Sequence, residues 1–216
     1  MSPFRSEADP SGSAGACVLP APLVLSEEAA DLLFREARTA NAFTDEPVTD
    51  AEVRAIHDLV RWGPTAMNGQ PMRVTLVRSP EARAALVEHL SPGNRAKAAG
   101  APLVAILSYD ADFPRTLPDL FPHAPEVARM FGSEESRQRF GTFNGAMQAA
   151  YFLIGVRAAG LAAGPMGGFD AAGVDRTFFP DGSRRAFLVV NIGHPAAGAW
   201  RERLPRLDYD QVVDVA

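Results

Sequence analysis

The sequence predicts an α+β fold, with helices packed around a small buried mixed sheet. Three observations carry this. LVAILSY at 103–109 and RAFLVVNIG at 185–193 are nearly continuous apolar runs, the pattern of strands covered on both faces. Helical periodicity recurs in both halves of the chain, at 26–39, 49–62 and 142–159. The chain has 216 residues, enough to bury a sizeable core, and its single cysteine, Cys17, excludes an internal disulfide framework.

Residues 1–25 differ in kind, being rich in Ser, Gly, Pro and Ala without a period. They predict a flexible arm ahead of one domain spanning 26–216, and Cys17 within the arm reads as an incidental thiol. SEEAADLLFREART then predicts a helix capped by Ser26, with Ala29, Leu32, Leu33 and Ala37 near one face. TDAEVRAIHDLVRW predicts a second, with Thr49 and Glu52 forming a capping box and Val53, Ile56, Leu59 and Val60 as its apolar stripe. It stops near Gly63-Pro64. MRVTLVR at 72–78 alternates and predicts a strand. Ser79-Pro80 opens a helix to about Leu90. The strand at 103–109 follows Pro102.

Residues 110–140 hold Pro114, Pro118, Pro122 and Pro125 among aromatics and predict a lid with short helices. Residues 142–159 predict the longest helix, with Phe143, Met147, Ala150, Tyr151, Ile154 and Ala158 near one face and Gly160 ending it. GLAAGPMGGFD follows and is too rich in glycine for ordinary core. Gly164, Gly167 and Gly168 let a backbone come close to something flat or anionic. The last strand, 185–193, precedes a tail without a strong period.

Lys plus Arg is 21 against 26 Asp plus Glu, and a net charge of -5 argues against a nucleic-acid surface. No apolar run approaches the roughly 18 residues of a membrane span, and the start lacks the basic-then-apolar pattern of a secretory signal. The expected setting is the cytoplasm. The phosphate loop, the dinucleotide fingerprint and the nucleophile elbow are all missing. His57, His89, His123 and His194 are scattered, so no metal site is expected.

Four polar segments remain: ARTAN at 37–41, GPTAMNGQP at 63–71, PGNRAK at 92–97 and RERLPR at 201–206. Each alone has a plain explanation, such as a helix-end dipole partner, a turn, a solvated helical face or a surface ion-pair cluster. Together, RTANAF at 38–43, GPTAMNGQP at 63–71, GNRAK at 93–97 and GPMGGFD at 164–170 resemble the successive motifs of the nitroreductase-like FMN-dependent oxidoreductases. LPDLFPHAPEVARMF at 117–131, FNGAMQAAY at 143–151 and RLPRLDY at 203–209 are more specific. They resemble the malonic semialdehyde reductase subgroup of pyrimidine catabolism.

The resemblance implies a central mixed, mostly antiparallel sheet flanked by helices, and an interlocked homodimer with FMN at its interface. It implies NAD(P)H as hydride donor. Carried over by position, Arg38 and Thr39 meet the flavin phosphate and ribityl chain, and Arg203 and Arg201 reach the same phosphate. Pro64, Thr65, Ala66 and Asn68 approach the cofactor from the partner subunit, with Gln70 supporting their loop. Asn94 and Lys97 face the pyrimidine edge, while Pro165, Met166, Gly167 and Gly168 run along the ring. Arginine suits a phosphate through its bidentate fork. A cation and an amide at the ring edge stabilise the charge that reduction places there.

Two departures stand out. Asn41 occupies a position that is Lys or Arg in many members, and Gly167 one that is often Glu in classical nitroaromatic reducers. No side chain is expected to act as catalyst, because the flavin carries the hydride chemistry. In the lid, Arg115 and His123 are candidates for pairing with a substrate carboxylate, and Phe121 and Phe131 for covering the flavin face. The implied reaction is ping-pong reduction of 3-oxopropanoate to 3-hydroxypropanoate. The alternative is a broad NAD(P)H nitro or quinone reductase. Against a non-enzymatic scaffold stand Arg38, Asn94, Lys97 and the glycines of 164–168.

Overall fold

The computed structural model describes residues 23–216, so most of the predicted arm, with Cys17, lies outside the described residues. Ser26 caps a short helix, α1 (Glu27–Ala30), by accepting from the Ala29 N–H. The chain then relaxes into a wider π-helical turn over Asp31–Arg35 and leaves the helix there. The predicted helix is therefore shorter than its period suggested. The turn shifts the register, so Ala30 is buried and Leu32 is half exposed.

Helix α2 (Asp50–Val60) carries the predicted capping box, with both reciprocal bonds between Thr49 and Glu52 in place. Ile56 is buried, but Leu59 at the end of the predicted stripe is 58% exposed. Strand β1 (Met72–Val77) leads into α3 (Pro80–His89), which Ser79 caps and Pro80 opens. Helix α4 (Pro92–Ala99) follows directly and turns the chain into β2 (Leu103–Asp110). Every residue of β2 is buried, as its apolar run predicted.

The lid segment folds into short turns: 3-10 turns at Phe113–Thr116 and Pro125–Phe131, with α5 (Leu117–Leu120) between them. Helix α6 (Glu134–Ala158) starts eight residues before its predicted position. Its buried face is also a different one. Gly141, Asn144, Gly145, Ala149, Phe152, Gly155 and Val156 point inward, while Phe143 and Tyr151 are 65% and 42% exposed. Small residues win the inner face because its neighbours pack close: a Cβ on Gly155 would sit 2.3 Å from Val60 Cγ1 of α2, and one on Gly141 2.5 Å from the Tyr109 ring of β2.

Gly160, at φ +78°, ends α6 in the left-handed region. The glycine-rich stretch that follows is itself a strand, β3 (Ala162–Met166), which the sequence did not signal. Helix α7 (Ala171–Phe178), β4 (Arg184–Gly193) and a short α8 (Tyr209–Val212) complete the described chain.

The four strands pair in the order β1-β2-β4-β3, and all three pairings are antiparallel. A mixed sheet was expected, but no parallel pair occurs among the described residues. One sheet face packs on α2 and α6 through Ile56, Phe152, Val156, Val190 and Ile192. The other carries α3, α4 and α7 through Leu86, Leu90, Ala98, Val174 and Val189. The tail 201–216 is exposed throughout, including Leu204, Leu207 and Tyr209. Among the described residues, no helix is long and apolar enough to cross a membrane.

Candidate functional site

The segment after the first helix runs extended beside β3. The Ala40 N–H donates to Ala163 O at 3.0 Å and the Asn41 N–H to Ala199 O at 2.9 Å. Gly164 permits this approach, since a Cβ there would meet Ala40 O at 2.7 Å. This glycine therefore serves the chain's own packing. The paired backbones place Arg38, Thr39 and Asn41 at the sheet's β3 edge.

Two cavities lie there, and both are lined by Thr39 and Asn41. One, of about 270 Å³, is also lined by Arg38, Arg201, Arg203 and Arg206. Arg38 reaches back to the tail, its Nη1 donating to Arg201 O at 3.2 Å. Its Nε is buried and has no partner among the described residues. Arg203 donates to the Arg35 carbonyl. Four arginines on one small cavity make a strongly cationic end, opposed within its lining by Glu202 alone.

The second cavity, of about 230 Å³, is lined by Asn94, Lys97, Gly164, Pro165, Met166, Gly167 and Asn191. Asn94 and Lys97 lie one turn apart on α4 and reach it together. The Gly168 carbonyl fixes this wall, accepting from the Ser91 N–H at 3.0 Å and from Asn94 Nδ2 at 3.1 Å. One of the two Asn94 amide hydrogens is thus engaged within the chain. Gly168 is crowded by Ser91 and Asn94, whereas a Cβ on Gly167 would meet nothing within 4 Å. Among the described residues Lys97 forms no ion pair and no hydrogen bond, and no group of side chains could hold a metal ion.

The other predicted residues lie elsewhere. Ala66 lines a separate cavity of about 670 Å³, shared with Met67, Met130, Phe131, Phe140, Phe143 and Asn144. Its loop is wound tightly: Met67, Asn68 and Gln70 adopt φ of +52°, +48° and +40°. The Gln70 N–H donates to Thr65 Oγ1 and its Nε2 to Asn68 Oδ1, within the loop. Asn68 Nδ2 ties the loop to the lid through Leu120 O at 2.9 Å.

Phe131 is buried with Phe113, Leu117 and Phe140 under the lid. Phe121 packs against His123 with ring centroids 3.8 Å apart and the rings tilted by 53°. Arg115 stands 3.9 Å from Asp110, which Arg73 already holds at 2.9 Å, so its guanidinium is not a wholly free carboxylate receptor.

Two polar residues went unpredicted. Asn144 accepts from the Ala66 N–H at 2.8 Å and is 1% exposed. Asn191, also 1% exposed, lines the Lys97 cavity. An asparagine within the apolar run RAFLVVNIG was the available signal for the second.

Residues 34–194 match the Nitroreductase family. The chain belongs to this family. It is 61% identical over 192 residues to a "Putative NADH dehydrogenase/NAD(P)H nitroreductase" of Streptomyces coelicolor, covering 88% of this chain and 97% of that protein. A Leptothrix cholodnii protein of the same description is 47% identical over 184 residues, covering 85% and 93%. Among solved structures, a "putative nitroreductase" from Exiguobacterium sibiricum in complex with FMN superposes at a TM-score of 0.77 with 15% identity, covering 88% of this chain and 98% of that one. A nitroreductase family protein from Streptococcus pneumoniae gives 0.74 with 22% identity, covering 85% and 98%. At these identities the structural likeness shows the nitroreductase fold.

Proposed function

We propose that the protein is an FMN-dependent NAD(P)H oxidoreductase acting as a homodimer. The observation that carries this is the pair of neighbouring cavities that share Thr39 and Asn41, one cationic around Arg38 and Arg203 and the other flanked by Lys97 and the open Gly167 backbone. That order suits a molecule with a phosphate at one end and a flat polar ring at the other. The unpartnered Arg38 Nε and the unengaged Lys97 are donors such a molecule satisfies. The FMN in the Exiguobacterium structure and the descriptions of the Streptomyces and Leptothrix relatives support the reading.

Bound FMN would supply the hydride chemistry between NAD(P)H and an acceptor. The chain's part is to hold and bias that group. Arg38 and Arg203, with Arg201 beside them, hold the phosphate through charge-assisted bonds. Thr39 and Asn41 line the junction where the linking chain lies. Lys97 supplies fixed positive charge for the ring edge that becomes more negative on reduction. Pro165, Met166 and Gly167 form the wall along the ring. Pro64, Thr65, Ala66, Asn68 and Gln70 complete the site from the partner subunit, which fits their absence from the linings of the two cavities above. The exposed Phe143 and Tyr151 of α6 and the exposed Leu204, Leu207 and Tyr209 of the tail supply the surface for that partner.

The resemblance of 117–131, 143–151 and 203–209 supports 3-oxopropanoate as the acceptor. One observation favours a second reading. The cavity of about 670 Å³ is walled by Met67, Met130, Phe131, Phe140 and Phe143 beside Glu135 and Arg139, a mainly apolar lining suited to a flat quinone or nitroaromatic. Steady-state kinetics with 3-oxopropanoate, a quinone and a nitroaromatic, each with NADH and NADPH, separate the two. A kcat/KM for 3-oxopropanoate far below that for the aromatics removes the first. Colourless protein that cannot be reconstituted with FMN removes both.

A further inference from the structure

Asn191 sits in β4 between Val104 of β2 and Gly164 of β3. Alternation puts it on the sheet face shared with Val189, among Val104, Ala98 and Met166. It is the one polar side chain of β4 that is fully buried. Its Nδ2 turns to the Met166 sulfur at 3.7 Å, and its Oδ1 has no partner among the described residues. Leaving a buried carbonyl unbonded is costly, and an apolar residue of the same shape avoids that cost.

Lys97 lines the same cavity and makes no hydrogen bond among the described residues. An ammonium only donates, whereas the Asn191 oxygen only accepts. A phosphate or carboxylate satisfies Lys97 and leaves Asn191 orphaned. A ring edge that carries a carbonyl next to an N–H satisfies both. We propose that Asn191 is a further cofactor-site residue, its Oδ1 accepting a hydrogen bond from the imide N–H of the flavin ring while its Nδ2 holds Met166 in the ring's wall. This rests on the FMN reading above.

The test is titration of the full-length protein with FMN and with 3-methyl-FMN, which lacks that N–H, followed by flavin fluorescence. Wild-type protein is expected to bind FMN at least about tenfold more tightly than the methylated analogue. Asn191→Leu abolishes this preference and weakens FMN binding, yet melts no lower than wild type, because it removes an orphaned buried oxygen. Asn191→Asp keeps an acceptor oxygen and keeps the preference. Equal wild-type affinity for the two flavins overturns the proposal, as does a preference that survives intact in Asn191→Leu. A lower melting temperature in Asn191→Leu with the preference retained gives Asn191 a purely structural role, with the same consequence. Failure of wild-type protein to bind FMN at all instead strikes the cofactor reading beneath it.

Discussion

Asn144 Oδ1 accepts a hydrogen bond from the Ala66 N–H at 2.8 Å, tying the middle of α6 to the tightly wound loop at 64–70. The same side chain donates to Phe140 O at 3.0 Å, so both ends of its amide are engaged. The loop needs this support because three of its non-glycine residues have positive φ. Asn144→Leu leaves the Ala66 N–H without its acceptor, at a cost of about 1–3 kcal/mol. The expected result is a lower unfolding midpoint in denaturant together with weaker retention of FMN. Unchanged values of both remove Asn144 from any supporting role.

Arg38 and Arg203 are expected to act on the phosphate. Replacing either with Ala should weaken FMN binding about tenfold or more, whereas a surface ion pair is worth at most about 1 kcal/mol. Riboflavin, which lacks the phosphate, provides the control. Its affinity should change little in the same variants. Equal losses for FMN and riboflavin would assign the arginines to the ring or to folding.

Gly164 and Gly167 separate packing from ligand contact. Alanine at Gly164 drives a Cβ against the Ala40 carbonyl and pushes 38–41 off β3, costing about 1–3 kcal/mol of stability. Alanine at Gly167 meets nothing in the chain, so its melting temperature should match wild type. A fall in FMN affinity at that unchanged stability reports a ring lying against Gly167. Full affinity places the ring elsewhere.

Asp110 is 6% exposed and receives Arg73 at 2.9 Å. Asp110→Ala strands a partly buried guanidinium and should cost roughly 3 kcal/mol. Arg115 is the looser and far more exposed partner, and Arg115→Ala should cost below about 1 kcal/mol. If Arg115 reads a carboxylate, that variant raises KM for 3-oxopropanoate more than for a quinone, and His123→Ala does the same. Equal effects on both acceptors return these residues to lid packing.

The N-terminus of α2 carries a pH dependence. Hydrogen bonds from the Thr49 backbone and hydroxyl hold the Glu52 carboxyl below its usual value of 4.5. A carboxyl depressed in the folded state stabilises the fold above its unfolded value. That contribution disappears as pH falls below about 4.5 and through the folded value. Melting temperature should therefore drop more steeply with acid in wild type than in Glu52→Gln, which keeps a neutral capping partner. Parallel acid profiles would refute the assignment.

The sequence by itself determined the element types where one signal was strong. The Thr49–Glu52 box and Ser79-Pro80 fixed two helix starts, and the apolar runs fixed β2 and β4, because caps and period act within a few residues. The order of its short polar motifs also disclosed the family. Tertiary structure decided the rest. Helix α6 has large apolar residues on more than one side, so its period could not say which face turns inward. Tyr109 and Phe187 of the sheet against Gly141 and Gly145, and α2 against Gly155, selected the glycine face and left Phe143 outside. Strand β3 has little β-propensity of its own and exists because β4 and the 38–41 segment pair with it. Asn144, Asn191 and Asp110 take their meaning from partners 78, 25 and 37 residues away along the chain. Those distances close only when the sheet assembles, which no local pattern encodes.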